Sequence, residues 1–231
     1  MQIRYYGKTI NQHTKERKMG VERAYIIAHS MGEGISELFC ALGADLALLC
    51  DRQESFSSML RELIAANESE HIIILPATPE AFADAELLVR EANNSALHLV
   101  PTRSSGEVYA ALAEMSFGNA PREQFLQAVA ALEPLASVEI LETASGFLSE
   151  YVAVQSGERV ASSGSAEGAA LLAIERLRGA HHRIITLIVG SGVSNASRVF
   201  LTERLMEIYP EMQIIVYIGK QNASEYYIAL R

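Results

Sequence analysis

The chain has 231 residues, 49% hydrophobic and 20% charged, with a formal net charge of −9. That length suits one large domain or two small ones with a real core. The acidic balance argues against general nucleic-acid binding, which needs clustered Lys and Arg on phosphates, and no apolar run approaches the ~18 residues that span a bilayer.

Met1 to Gly20 carries Arg4, Lys8, Lys15, Arg17 and Lys18 against the single acid Glu16, without the apolar core of a signal peptide. Residues 1–22 therefore read as a basic arm or linker. Arg23 to His29 reads as a strand, followed by the turn Ser30-Met31-Gly32-Glu33-Gly34 and a helix from about Ile35 to Leu42. Gly43 suits the C-terminal cap. Ala44 to Cys50 is the next strand. Ser55 to Ala66 reads as a helix, with Ser55 as N-cap and Met59, Leu60, Leu63 and Ile64 on one face.

Two runs stand out: His71-Ile72-Ile73-Ile74-Leu75-Pro76-Ala77-Thr78 and Leu97-His98-Leu99-Val100-Pro101-Thr102-Arg103-Ser104. Each is an apolar strand that stops at a proline and then shows hydroxyls. Such strands are buried on both faces, as in parallel sheets covered by helices. Glu80 to Asn94, between them, has helical spacing, and a further helix runs from about Gly106 to Met115. Four strands alternating with four helices, joined by right-handed crossovers, predict a parallel sheet sandwiched by helices over residues 23–117.

Phe117-Gly118-Asn119-Ala120-Pro121 breaks the rhythm, and Pro121 opens a helix to about Leu132. Ser137–Thr143, Glu150–Gln155 and Arg159–Ala161 read as an antiparallel set with turns at Ser145-Gly146 and Ser156-Gly157. A helix over Ala166–Leu177, a strand over Ile184–Val189, a helix over Asn195–Ile208 and strands over Gln213–Ile218 and Tyr226–Leu230 complete the chain. Residues 118–231 are thus expected as a mixed α+β subdomain. The fold class is α/β, with two packed α/β subdomains.

The polar loops after the parallel strands fall at one sheet edge, where open α/β sheets bind ligands or partners. Ser30, Gly32, Glu33, Gly34, Thr78, Thr102, Arg103 and Ser104 are accordingly the candidate ligand- or partner-binding residues. The turn at Gly32 could hold an anion on free helix N–H groups, yet Glu33 would repel phosphate, and a plain strand-to-helix turn explains it too. Arg103 could bind a carboxylate or phosphate bidentately, or pair with an acid of its own domain. Ser191-Gly192-Val193-Ser194 reads as an ordinary turn. His29, at the end of its strand, could titrate near pH 7 or be structural. His181 and His182 read as solvated. Lys220, Gln221, Tyr226 and Tyr227 form a candidate interface if one tyrosine is in the core and the other exposed, and core and edge packing explains the tyrosines too. Cys40 and Cys50 read as buried free thiols in a reducing cytoplasm. No metal site, cofactor motif, nucleophile elbow or Asp-x-Asp pair is present, so no catalytic residue is assigned.

The order of motifs resembles one family. Gly32-Glu33-Gly34-Ile35 with Phe39 and Leu42-Gly43 is similar to its opening segment. Ile72 to Pro76 and Leu99 to Ser104 match its two strand–loop elements, followed by Ala110-Ala111-Leu112. Tyr209-Pro210, Ile215 to Gly219, Gln221 and Tyr226-Tyr227-Ile228 match its closing segment. Over residues 23–231 the chain resembles the C-terminal region of the large chain of fatty acid kinase, from a dihydroxyacetone-kinase-like, DegV-associated group. The resemblance implies a non-catalytic module that binds a DegV-type fatty-acid-binding partner and helps present the acyl carboxylate for phosphorylation. The DhaL-type kinase domain, with its Asp-rich metal loop, would be upstream or on another chain. No cofactor is implied, and a homodimer is left open. Where the family carries Gly-Gly-Gln-Thr-Met-Asn-Pro-Ser, this chain has Cys50-Asp51-Arg52-Gln53-Glu54-Ser55-Phe56-Ser57. Without those glycines the backbone comes less close to a ligand. The alternative is a small-molecule-binding enzyme or sensor using the loops at Gly32 and Arg103.

Overall fold

The computed structural model describes residues 5–7, 23–50, 56–67, 69–116, 118–145 and 148–231. Most of the basic arm and the divergent loop at 51–55, including the expected cap Ser55, lie outside the described residues. The chain divides into two compact units, Met1–Glu133 and Pro134–Arg231.

The first unit holds a five-stranded sheet in the order β1-β3-β2-β4-β5. Its strands are β1 (Tyr5–Gly7), β2 (Tyr25–Ser30), β3 (Leu46–Leu49), β4 (Ile72–Leu75) and β5 (Leu97–Leu99). Strands β2 to β5 are mutually parallel, in the registers Ala28↔Ala47, Ile27↔Ile74 and Ile73↔His98. β1, a strand inside the expected arm, pairs antiparallel with β3. The helices are α1 (Glu33–Ala41), α2 (Phe56–Ala66), α3 (Pro79–Ala92), α4 (Ser105–Glu114) and α5 (Pro121–Ala130).

Alternation along the strands sorts the core. Tyr25, Ile27, Leu46, Leu48, Ile72, Ile74 and Leu97 face α2 and α3 through Phe56, Leu60, Leu63, Ala85 and Leu88. Helix α1 packs on β1, β2 and β3 and lies beside α4. Both faces of the central strands are covered, which is why β2 and β4 are buried throughout. At the end of α1, Gly43 N–H donates to Cys40 O at 3.1 Å and Ala44 N–H to Phe39 O at 2.9 Å, a double C-terminal cap. The Cys40 and Cys50 thiols are half-buried, and Cys50 Sγ lies 3.8 Å from Met59 Sδ.

The boundary after Glu133 differs from the one expected near residue 118. Helix α5 belongs to the first unit because it is tied to α4. Ser116 N–H donates to Gln127 Oε1 at 2.8 Å, and the buried Gln124 reaches Ser116 O at 3.4 Å.

The second unit is a mixed six-stranded sheet in the order β10-β9-β11-β6-β7-β8. Its strands are β6 (Ala136–Ser145), β7 (Leu148–Gln155), β8 (Glu158–Ser163), β9 (Ile184–Val189), β10 (Gln213–Ile218) and β11 (Tyr226–Leu230). Only β9 and β10 are parallel to each other. Helix α6 (Ala166–Leu177) covers β6, β7 and β8, and α7 (Asn195–Ile208) packs on β10 and α6. The β7–β8 turn uses left-handed conformations at Ser156 (φ 50°) and Gly157 (φ 84°). Two such residues are what a two-residue hairpin loop requires. His182 is buried, not solvated as expected. Its Nδ1 accepts from Gly179 N–H at 2.9 Å, so Nε2 carries the proton and donates to Pro134 O at 2.9 Å. No helix among the described residues is long and apolar enough to cross a membrane.

Candidate functional site

The parallel registers bring the ends of β2, β4 and β5 to one edge of the first sheet, with Ser30, Gly32, Thr78, Thr102, Arg103 and Ser104 along it. The sheet order reverses between β2 and β4: the chain leaves β2 toward β3 and leaves β4 toward β5. Such a switch point opens a crevice in α/β sheets.

Most of the hydroxyls at this edge are spent on structure. Ser30 is buried; its Oγ donates to Gly32 O at 2.9 Å and accepts from Ser36 Oγ at 2.8 Å. Thr78 is the N-cap of α3, accepting from Ala81 N–H at 3.1 Å, with Pro79 in the first turn. Ser104 is the N-cap of α4, accepting from Glu107 N–H at 3.2 Å, while the Glu107 carboxylate reaches back to Arg103 N–H at 2.5 Å. Burial pushes the Glu107 carboxyl up, against the lowering pull of Arg103.

Two positions at the edge differ from these caps. Gly32 begins α1 in extended conformation and brings no side-chain cap, with Glu33 in the first turn and Gly34 buried behind it. Thr102 is fully buried with its Oγ1 unpartnered.

Arg103 is exposed, and its guanidinium lies 4.2 Å from the centroid of Phe82. Its Nη1 also approaches Pro101 O at 3.4 Å. Arginine stacks on an aromatic face because the ring quadrupole attracts the cation. Phe82 and Pro101 are themselves walls of an open groove of about 430 Å³, completed by Val89, Leu99, Phe125 and Val129. Glu86 and Arg90, paired at 3.0 Å, stand at its polar rim. Arg103 is therefore the cationic lip of an apolar groove beside the edge strand β5. The groove is invisible in the sequence because its walls come from α3, β5 and α5, which are distant in the chain.

His29 is the penultimate residue of β2, at the switch point. It is buried, stacks on Phe56 with centroids 4.7 Å apart, and its Nδ1 accepts from Ala77 N–H at 3.3 Å. Burial lowers its pKa to about 4, so it does not titrate near pH 7, and of the two roles open to it the structural one holds. Because Nδ1 is an acceptor, the proton sits on Nε2, which has no partner.

The closing segment departs from the expected interface. Tyr226 and Tyr227 are both buried, since β11 lies between β9 and β6 in the sheet centre. Gln221 is buried too and donates from Nε2 to Ile188 O at 3.0 Å. Lys220, with φ 55°, remains at the surface. Among the described residues, no group of three or more His, Cys, Asp or Glu side chains could hold a metal ion.

Comparison with solved structures places the fold. The dihydroxyacetone kinase of C. freundii superposes with a TM-score of 0.66 at 11% identity, over 93% of this chain and 49% of that one. The chain thus spans about half the length of that kinase. The DegV family protein Cg2579 from Corynebacterium glutamicum gives a TM-score of 0.65 at 12% identity, over 90% of this chain and 96% of that one. The Streptococcus pneumoniae fatty acid kinase B3 protein, solved with linoleic acid, gives 0.56 at 12% identity, over 89% and 98%. No curated protein matches in sequence. The FakA-like C-terminal family of fatty acid kinase matches residues 25–231, and the chain belongs to that family.

Proposed function

We propose that this chain is a non-catalytic accessory module of a fatty-acid-kinase system. In this reading it binds a DegV-type fatty-acid-binding partner and helps present the acyl carboxylate for phosphorylation by a kinase domain elsewhere. Membership of the FakA-like C-terminal family supports the system. The observation that carries the site is Arg103, stacked on Phe82 at the lip of the apolar groove. A cation held beside an apolar wall suits a partner that offers an apolar contact and a carboxylate together. The test is binding of a purified DegV-type protein loaded with a fatty acid, followed by calorimetry. Saturable binding is expected, and none at high protein concentration overturns the reading.

A second reading, small-molecule binding at the switch point, is favoured by His29, whose Nε2–H is buried without an acceptor. A ligand there would be an acceptor-rich small molecule. Loss of that binding in His29→Asn, with partner binding kept, would select this reading over the first.

A further inference from the structure

One end of the second sheet gathers acids without a cation. The register sets Glu142 of β6 opposite Tyr151 of β7, and Ile140 of β6 opposite Tyr226 of β11. Residues two apart on a strand share a face, so Glu142, Tyr151 and Tyr226 stand on the same side of the sheet. Tyr226 and Ile140 pack there with Ala169, Ala170 and Ala173 of α6, and Glu167 lies in the first turn of that helix. Glu225 immediately precedes β11, where its N–H donates to Ile140 O at 2.8 Å. Its carboxylate lies over Gly192, whose missing Cβ would stand 2.9 Å from Oε1.

Among the described residues none of these three carboxylates is in an ion pair, whereas Glu150 and Glu211 of the same unit pair with Arg159 and Arg178. Burial, and then the charges of Glu142 and Glu167, push the Glu225 carboxyl up. Burial and the same three acids also push the Tyr151 hydroxyl up. A helix start accounts for Glu167, whose charge suits the dipole. It does not account for Glu142 and Glu225. Two buried hydroxyls at this place add to the imbalance. Tyr226 is 0% exposed; its hydroxyl is aimed at the Glu167 and Glu225 carboxylates and has no hydrogen-bond partner. Ser224 is buried with its Oγ unpartnered as well. Buried hydroxyls are ordinarily bonded, so acceptor capacity is left over here.

We propose that Glu142, Glu167 and Glu225, with Tyr151 and Tyr226, form a recognition site for an arginine side chain carried by a protein partner. The acids come from three elements and are not grouped to hold a metal ion. Spread acceptors suit a planar guanidinium, which offers five N–H donors in a fixed fork. Tyr151 supplies an aromatic ring, on which that cation also stacks. Glu142 is exposed at the mouth, so the site can be reached from solvent. Arginine and tyrosine are the residues that protein interfaces favour, and a chain of net −9 draws basic partners.

The probe is the peptide acetyl-Gly-Gly-Arg-Gly-Gly-amide, titrated into the 15N-labelled full chain and followed by NMR. Saturable shifts are expected at the amides of Glu167, Gly192 and Glu225. The same peptide with citrulline, which keeps the shape and loses the charge, should give none. Glu142→Gln and Glu225→Gln should keep the wild-type circular dichroism and each raise the dissociation constant at least threefold. Glu158→Gln, on exposed Glu158 of β8, should leave it unchanged. Absence of saturable shifts overturns the proposal. So does binding of the citrulline peptide at equal strength, or an equal loss in Glu158→Gln, which would reduce the effect to general attraction. Free guanidinium binding as tightly as the peptide would overturn the protein partner in favour of a small cationic ligand.

Discussion

The imidazole of His29 accepts a hydrogen bond from the backbone N–H of Ala77 across the switch point of the first sheet, at 3.3 Å. This bond pins the ends of β2 and β4 together and fixes the tautomer of His29. It also ties stability to pH. Burial lowers the folded-state pKa from 6.5 to about 4. Between those values the unfolded chain takes up a proton that the folded chain refuses, so stability rises with pH. The contribution is complete above pH 6.5 and is lost as pH falls toward 4. A shift of this size corresponds to about 3 kcal/mol. Urea midpoints measured from pH 7.5 to 4 should fall, and His29→Asn, whose Oδ1 can still accept from Ala77, should flatten that fall. His98 and His182 are also lowered by burial and share the remaining slope. An unchanged profile in the variant would remove His29 from this role.

Arg103 should matter to binding more than to folding. Its side chain is exposed, and its contact is a surface stack on Phe82. Arg103→Ala should change stability by no more than about 0.5 kcal/mol. It should weaken binding of a DegV-type protein by about tenfold, equivalent to about 1.4 kcal/mol. Arg103→Lys should recover only part of the binding, because an ammonium is not planar and stacks poorly. Intact binding with a lowered melting temperature would make Arg103 a structural residue.

Much of this edge is readable from the chain. Proline-ended apolar runs announce β4 and β5, and parallel pairing follows from the helical spacing between them. The strand and helix spans from Ala166 to Leu230 are legible because each periodic run is bounded by turn residues. The capping role of Ser104 is legible as well, since Ser104-Ser105-Gly106-Glu107 is a capping-box spacing. A loop hydroxyl after a strand nevertheless passes equally well for a site residue. Other features rest on contacts between distant residues. Alternation places Tyr226 and Tyr227 on opposite faces correctly. It cannot say that both faces of β11 are covered. β1 is three residues in a basic arm and exists by pairing with β3. The stack of Arg103 on Phe82 joins residues from two different helix starts.

The caps give a separable prediction. Thr78 and Ser104 each satisfy one N–H at a helix start that would otherwise lack a partner within the helix. Thr78→Ala and Ser104→Ala should each cost about 1 kcal/mol of stability. Neither should change binding of a DegV-type protein by more than a few-fold. A loss of binding comparable to that of Arg103→Ala would mean that the hydroxyls themselves face the partner.

The chain should not turn over ATP with fatty acids or dihydroxyacetone. Phosphoryl transfer needs acids grouped to hold metal ions on the phosphates. The only aspartates are Asp45, Asp51 and Asp84, and the one Gly-Lys-Thr, Gly7-Lys8-Thr9, has Gln2 where the P-loop pattern requires its first glycine. Asp45 is also committed to the fold: its carboxylate is buried, accepts from Ile26 N–H at 2.9 Å and pairs with Arg23. ADP release measured with Mg-ATP and either substrate should equal the buffer control. Turnover above that control would make the chain an enzyme.

Two neighbouring glycines should respond differently to a single methyl group. Gly190 follows β9, and its N–H donates to Glu225 O at 2.7 Å just before β11. A Cβ there would lie 2.2 Å from Ser224 O and 3.0 Å from Glu225 O, both backbone atoms held by the sheet. Relief requires moving the segment that leads into the central strand of the second unit. Gly190→Ala should therefore cost at least the ~1–3 kcal/mol typical of overpacking. At Gly192 a Cβ would meet only the Glu225 carboxylate, at 2.9 Å, and that side chain can swing away. Gly192→Ala should cost well under ~1 kcal/mol. Urea unfolding of the two variants under one condition decides it. Equal losses would mean that the 221–225 segment yields as easily as a side chain, and that the close approach of Gly190 does not hold β11 in register.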